Sequence, residues 1–219
     1  MNKKLILLAL SMCFFSAQAQ VRAGAAFGPA FSLKPKDSDT AFFGKDYLNT
    51  QLRLGFHKGR LGLVFSGGAI KQSSGNDEVK TRLSGLTGAI YQMNKVTVRN
   101  TFFTVGPEIC FPLGPIKLHL HCSGGMGWIS ATDTKITLGG QDTVYMSKLD
   151  KTTTGMFKTG INLNYFLKKN VALSVYTEYT SYSIRYNNLD RRRLPGISTN
   201  HIQQHKKLLA LSGGITYKF

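Results

Sequence analysis

The residues best placed for chemistry in this 219-residue chain are His119 and His121, two positions apart, with Ser123 two further on. In an extended strand, residues i, i+2 and i+4 project from one face, so the spacing aims all three at the same side. Two imidazoles so placed could ligate a metal, and a hydroxyl beside an imidazole could be a nucleophile with its base. Neither set is complete. No carboxylate adjoins the histidines in sequence, two histidines alone are a weak ligand set, and no third group orients a Ser123–His121 pair. Polar filling of an interior is the preferred reading. No metal, no cofactor and no enzymatic activity are expected. Cys110 and Cys122 fall on opposite faces of their segments, which is poor geometry for a disulfide, so two free thiols are expected.

The elements that carry these residues alternate with period two, apolar on one face and small or polar on the other. Eight such segments can be traced: 21–33, 47–57, 61–71, 96–111, 116–130, 155–167, 171–186 and 205–219. In the fifth, Ile116, Leu118, Leu120, Cys122, Met126 and Trp128 oppose Lys117, His119, His121, Ser123 and two glycines. In the last, Leu209, Leu211, Gly213, Ile215, Tyr217 and Phe219 oppose Leu208, Ala210, Ser212, Gly214, Thr216 and Lys218. Pro29 is disfavoured within a sheet unless at a bulge or bend. The connections alternate between short (Lys58-Gly59-Arg60, Pro112 to Pro115, Lys168-Lys169-Asn170) and long (34–46, 72–95, 131–154, 187–204). A further alternating stretch, 83–91, lies within the second long connection and is read as a hairpin extension or short helix.

The first residues, MNKKLILLALSMCFFSAQA, have a positive start, an apolar stretch and a small-x-small ending at Ala17-Gln18-Ala19. This is the layout of a secretory signal, and the apolar run is too short to span a membrane as a helix. Residues 1–19 are expected to be a signal peptide and 20–219 one domain. Cys13 loosely imitates a lipoprotein cleavage site, but Met12 is bulky where that motif wants a small residue. The formal charge of +17 falls to +15 without Lys3 and Lys4. Such a charge suggests nucleic acid in a cytoplasmic protein, but export and the scatter of the basic residues argue against it.

Eight strands of about ten residues with strictly alternating short and long connections predict an all-β fold. Specifically, this is an eight-stranded antiparallel transmembrane β-barrel with short periplasmic turns and long extracellular loops. With this alternation and a closing strand that ends in Tyr217 and Phe219, the chain resembles the small OmpA/OmpX-type barrels of the gram-negative outer membrane. More loosely, it is similar to the outer-membrane β-barrel domain of PorT-like proteins. The resemblance covers the whole stretch after the signal and rests on architecture. It implies location in the cell outer membrane, and it makes Ile215, Tyr217 and Phe219 a signal read by the barrel-assembly machinery. No periplasmic peptidoglycan-binding domain like that of full-length OmpA is expected after Phe219, and the PorT-like likeness implies a role in protein secretion.

Parity then assigns the charges. Arg22, Arg53, Arg99, Lys117, Lys158 and Lys218 are expected to face the interior, with Glu108 and Glu178 as the only acids. An eight-stranded barrel is just wide enough for side chains to fill, so this set reads as a hydrogen-bonded plug, with an anion-selective lumen as the alternative. Lys71, Arg185, Arg191, Arg192, Arg193, Lys206 and Lys207 are expected to form a basic outer edge that meets phosphate-rich lipopolysaccharide. A receptor or adhesion surface is the alternative for that edge. Phe103, Trp128, Tyr179, Tyr217 and Phe219 are expected in the interfacial aromatic girdles. The whole reads as a monomeric, non-enzymatic membrane barrel acting through its loops. A secretion accessory, a small anion channel and a lipid-modifying enzyme are the competing readings.

Overall fold

The computed structural model describes residues 20–33, 46–73, 91–93, 97–132, 134–138, 142–149, 153–190 and 201–219. The expected signal peptide, 1–19, lies outside them. The strands are β1 (Gln20–Ser32), β2 (Asp46–Lys58), β3 (Leu61–Ser73), β4 (Tyr91–Met93), β5 (Thr97–Leu113), β6 (Ile116–Ala131), β7 (Thr134–Leu138), β8 (Asp142–Leu149), β9 (Thr153–Phe166), β10 (Val171–Asp190) and β11 (His201–Lys218).

Eight of these close on themselves, in the order β1-β2-β3-β5-β6-β9-β10-β11 and back to β1, all antiparallel. Closure satisfies every strand edge, which is what a backbone in lipid requires. The seam is β1–β11, with Arg22 opposite Lys218 and Ser32 opposite Leu208. The turns that could be short are short because glycine permits it. Gly59 and Gly114 each sit at φ +64°, the left-handed region that two-residue hairpins need. These turns, the 167–170 turn and both barrel termini lie at one end, the turn end; the long connections lie at the other, the loop end.

The third long connection departs from the expected polar stretch. Within 131–154, β7 and β8 form a hairpin whose second strand β8 pairs with the prolonged end of β10, Tyr145–Leu149 against Tyr186–Asp190. Tyr91, the last residue of the stretch read as a hairpin extension or short helix, opens β4, which pairs with β7 outside the barrel wall. The hairpin's signal was Gly139-Gly140 between two short alternating runs, outweighed by the polar composition around it.

The barrel is inverted relative to a water-soluble fold. Leu52, Phe27 and Ile215 are 58–68% exposed, whereas Asn100, Thr104 and Asn164 are fully buried. A contiguous apolar exterior around a polar interior cannot be solvated by water and is the surface of a barrel immersed in hydrocarbon. Two strands, β1 and β5, carry Gly-Pro pairs, Gly28-Pro29 and Gly106-Pro107. Pro29 and Pro107 point outward, and the β1–β11 and β5–β6 ladders skip these positions while the ladders to β2 and β3 continue. A side chain at Gly106 would run into the Cys122 carbonyl of β6, so the residue before this proline must be glycine.

The interior has two layers. Toward the loop end it is apolar, built from Tyr47, Ile70, Val98, Phe102, Ile129, Met156, Tyr182, Ile184 and Leu208. Ile70 stands out in its strand as an apolar residue on a polar face; it belongs to this layer. Toward the turn end the interior is charged.

Candidate functional site

Four strands build the lower charged cluster. Arg22 from β1 reaches across the lumen, its Nη2 donating to Glu108 Oε1 (2.9 Å) and to His57 Nε2 (2.6 Å), and its Nη1 lying 3.0 Å from His119 Nε2. His119 Nδ1 is 2.9 Å from Glu108 Oε1. A guanidinium can only donate, so His57 Nε2 and His119 Nε2 are the acceptors in their contacts with Arg22. Gly55 makes the room: a Cβ there would press on Arg22 Nη2 and His57 Nε2.

The upper cluster centres on Glu178 of β10. Its Oε1 accepts from Arg53 Nη1 (2.7 Å) and lies 3.2 Å from His121 Nε2. Its Oε2 accepts from Gln51 Nε2 (2.7 Å) and lies 3.1 Å from Lys158 Nζ, which also donates to Gln51 Oε1 (2.7 Å). Opposite Glu178 in the register is Gly160, where a Cβ would run into the Thr177 carbonyl and the Glu178 side chain at Cγ. Arg53 stacks over the Tyr176 ring at 5.0 Å within the charged layer, and Lys158 lies over the Phe102 ring at 4.4 Å, where the charged layer meets the apolar one. Lys158 is 1% exposed, a position that an ammonium group tolerates only when paired in this way.

The sequence-selected charges divide on this geometry. Arg22, Arg53, Glu108, Lys158 and Glu178 meet in the two clusters. Lys117 and Lys218 stand half-buried at the turn-end mouth, with Lys117 over the Phe166 ring at 5.1 Å. Arg99 is a correction: it is exposed on the outer face. Its neighbours Val98 and Asn100 are the inward residues, so odd positions of β5 face out, and the inward assignment broke the parity of its own strand. On the expected basic edge, Lys71, Arg185 and Lys207 are exposed, while Arg191, Arg192 and Arg193 lie outside the described residues. Lys206 is a second correction. It is 4% exposed and faces inward in the same series as Leu208 and Ala210. The edge is also not one patch: Lys71 on β3 is separated from Arg185 and Lys207 on β10 and β11 by β1 and β2.

The candidate chemical groups are arranged as follows. Ser123 Oγ donates to Thr104 Oγ1 (3.3 Å) and His121 is engaged with Glu178, so the two do not form a nucleophile–base pair. Cys110 and Cys122 are both free thiols, the first buried and the second exposed on the outer face. Cys110 Sγ lies 3.7 Å from His119 Nε2, in line with Glu108 behind the imidazole. That order suits a thiol nucleophile, but Arg22 holds the same imidazole nitrogen and the neighbouring void, lined by Arg22, Arg53, Glu108 and Tyr176, measures only about 10 Å³. Such a void is at the lower limit for one water and admits no substrate. His57, Glu108 and His119 bring ligand atoms within 4.8 Å of one another, a set that could hold a metal, but the Arg22 guanidinium already occupies the cation's place between them. The sequence reading left His57, Gln51 and Tyr176 out of the network; all three share the inward parity of their strands, which was the available signal.

The outward aromatic residues Phe103, Trp128, Tyr217 and Phe219 are exposed on the lipid-facing surface, and Tyr217 and Phe219 meet edge to face at 4.8 Å. Tyr179 is partly exposed on the same surface.

No protein-family model and no curated protein matches the sequence. Among solved structures, the chain is similar to a major outer membrane protein from Thermus thermophilus, at 14% identity and TM-score 0.50, covering 92% of this chain and 99% of that one. It is similar to the outer membrane protease OmpT from Escherichia coli, at 7% identity and TM-score 0.50, covering 91% and 97%. OprG, an outer membrane protein from Pseudomonas aeruginosa, matches at 12% identity and TM-score 0.49, covering 92% and 95%. At such identities the likeness is one of fold, and with the inverted surface described above it makes this chain a β-barrel of the outer-membrane type.

Proposed function

We propose that this chain is a non-enzymatic, monomeric integral barrel of the cell outer membrane, sealed to solutes, that acts through its loop end and through its presence in the membrane. The observation that carries this reading is the filled lumen. A charged layer and an apolar layer lie in series between the two ends, and the void within the charged layer is about 10 Å³. The turn end then faces the periplasm and the loop end the exterior. Ile215 and Tyr217 of β11 and Phe219 just beyond it are 42–71% exposed on one outward face, where the assembly machinery would meet them.

The test is conductance across a planar bilayer after refolding residues 20–219 into lipid, with folding checked by heat-modifiable gel mobility. A silent membrane is expected. Steady anion-selective steps weakened by Arg53→Gln would replace the sealed barrel with a channel. Stoichiometric co-purification of a periplasmic or membrane protein would favour the secretion-accessory role that the PorT-like resemblance implies.

A further inference from the structure

Arg99, on the outer face, belongs to a feature that the expected basic edge did not contain. It stands directly opposite Lys71 in the β3–β5 register, and the outward row continues to Leu48 on β2 and Ser130 on β6. Both cations are exposed, and among the described residues neither has an ion-pair partner. The rows beneath them grade from polar to greasy. Thr50, Ala69, Thr101 and Trp128 form the next row, and Leu52, Gly67, Phe103 and Met126 the one below it. Among the described residues these three outward rows hold no acid.

Depth decides what meets these cations. Along β5 the outward side chains from Leu113 to Phe103 are all apolar. Ten residues at ~3.3 Å rise, tilted by ~40°, span about 25 Å of membrane normal, the height of an outer-membrane apolar band. Arg99 lies four residues further, about 10 Å beyond the last apolar position, at the depth of headgroup phosphates. A groove of about 550 Å³ opens there, lined by Leu48, Thr50, Lys71, Arg99, Ser130 and Thr132. The guanidinium offers a planar fork for phosphate oxygens, the ammonium a second charge beside it, and the hydroxyls hydrogen bonds for a sugar ring, while the greasy rows below accept acyl chains.

We infer that the outer face of β2, β3, β5 and β6 is a docking site for the phosphorylated saccharide headgroup of an outer-leaflet glycolipid, with Lys71 and Arg99 clamping its phosphate. This rests on the reading that the loop end faces the outer leaflet.

The test refolds residues 20–219 into neutral phosphatidylcholine nanodiscs and titrates diphosphorylated lipid A. The readouts are the heat-modifiable gel midpoint and the fluorescence of Trp128, the chain's only tryptophan, one row below the site. Saturable binding is expected, weakened about tenfold in the Lys71→Ser/Arg99→Ser double variant and unchanged in Arg185→Ser/Lys207→Ser. Arg99→Lys, which keeps the charge and loses the fork, is expected between the two and covers the case in which the double variant misfolds. Equal binding of dephosphorylated lipid A, of phosphatidylglycerol or of inorganic phosphate would overturn the proposal. Loss of binding only in the Arg185/Lys207 variant would also overturn it, while leaving a basic lipid-facing edge in place. Failure of the parent chain to fold into any bilayer would instead remove the outer-membrane reading beneath it.

Discussion

Glu178 gathers Arg53, Lys158, His121 and Gln51 around one carboxylate, so removing its charge strands two buried cations at once. Glu178→Gln is expected to destabilise the folded barrel by about 3–5 kcal/mol, the usual cost of orphaning a buried charge. Urea unfolding in vesicles, followed by Trp128 fluorescence, measures it. Adding Lys158→Met in that background is expected to restore part of the loss, because it removes an unpaired charge in place of creating one. The two thiols test the inside–outside assignment directly: a lipid-soluble maleimide is expected to label Cys122 and a water-soluble one neither, with Cys110 protected from both until the barrel unfolds. Side-chain direction was legible wherever alternation was followed without exception. Glu108, Glu178, Arg22 and Arg53 were placed by it, and Arg99 and Lys206 were misplaced where charge was allowed to override it. Which inward residues touch was not legible. Arg22 meets Glu108 across the lumen from β1 to β5, and no spacing along a chain encodes a contact across a barrel.

The strands were legible because an eight-stranded wall in lipid demands one apolar and one polar face at every step, and the observed limits fall within a few residues of the expected ones. The extension by β4, β7 and β8 was not, since outside the membrane a strand is free of that demand and its composition looks like a loop. Pro29 and Pro107 show how the wall accommodates residues that cannot donate: each sits after an inward glycine, at a skipped ladder position on one side. Gly106→Val is therefore expected to force β5 away from the Cys122 carbonyl and cost about 1–3 kcal/mol through overpacking, seen as a lower folded fraction on heat-modifiable gels. Its outward neighbour Val105→Leu, which adds a methylene toward lipid, is expected to leave that fraction unchanged.

As a whole, the interior is filled by two layers, one of salt bridges and one of apolar packing, and the two share the Lys158–Phe102 contact. Phe102→Ala is expected to cost about 3–5 kcal/mol yet leave the bilayer silent, because the charged layer below still fills the bore. Conductance is expected only when Phe102→Ala is joined with Arg53→Gly, and planar-bilayer recording separates the two cases. The wall itself is joined at β1–β11, where Arg22 faces Lys218. Every other pairing in the ring connects barrel strands that are consecutive along the chain, with only β4 or the β7–β8 hairpin between them, whereas this one connects the first barrel strand to the last. In terms of folding order, such a non-local ladder is the slowest to form, and it cannot begin until the final strand has been made and delivered. Until then β1 and β11 each present an open hydrogen-bonding edge, so an unfinished barrel would most readily pair with another copy of itself at that line.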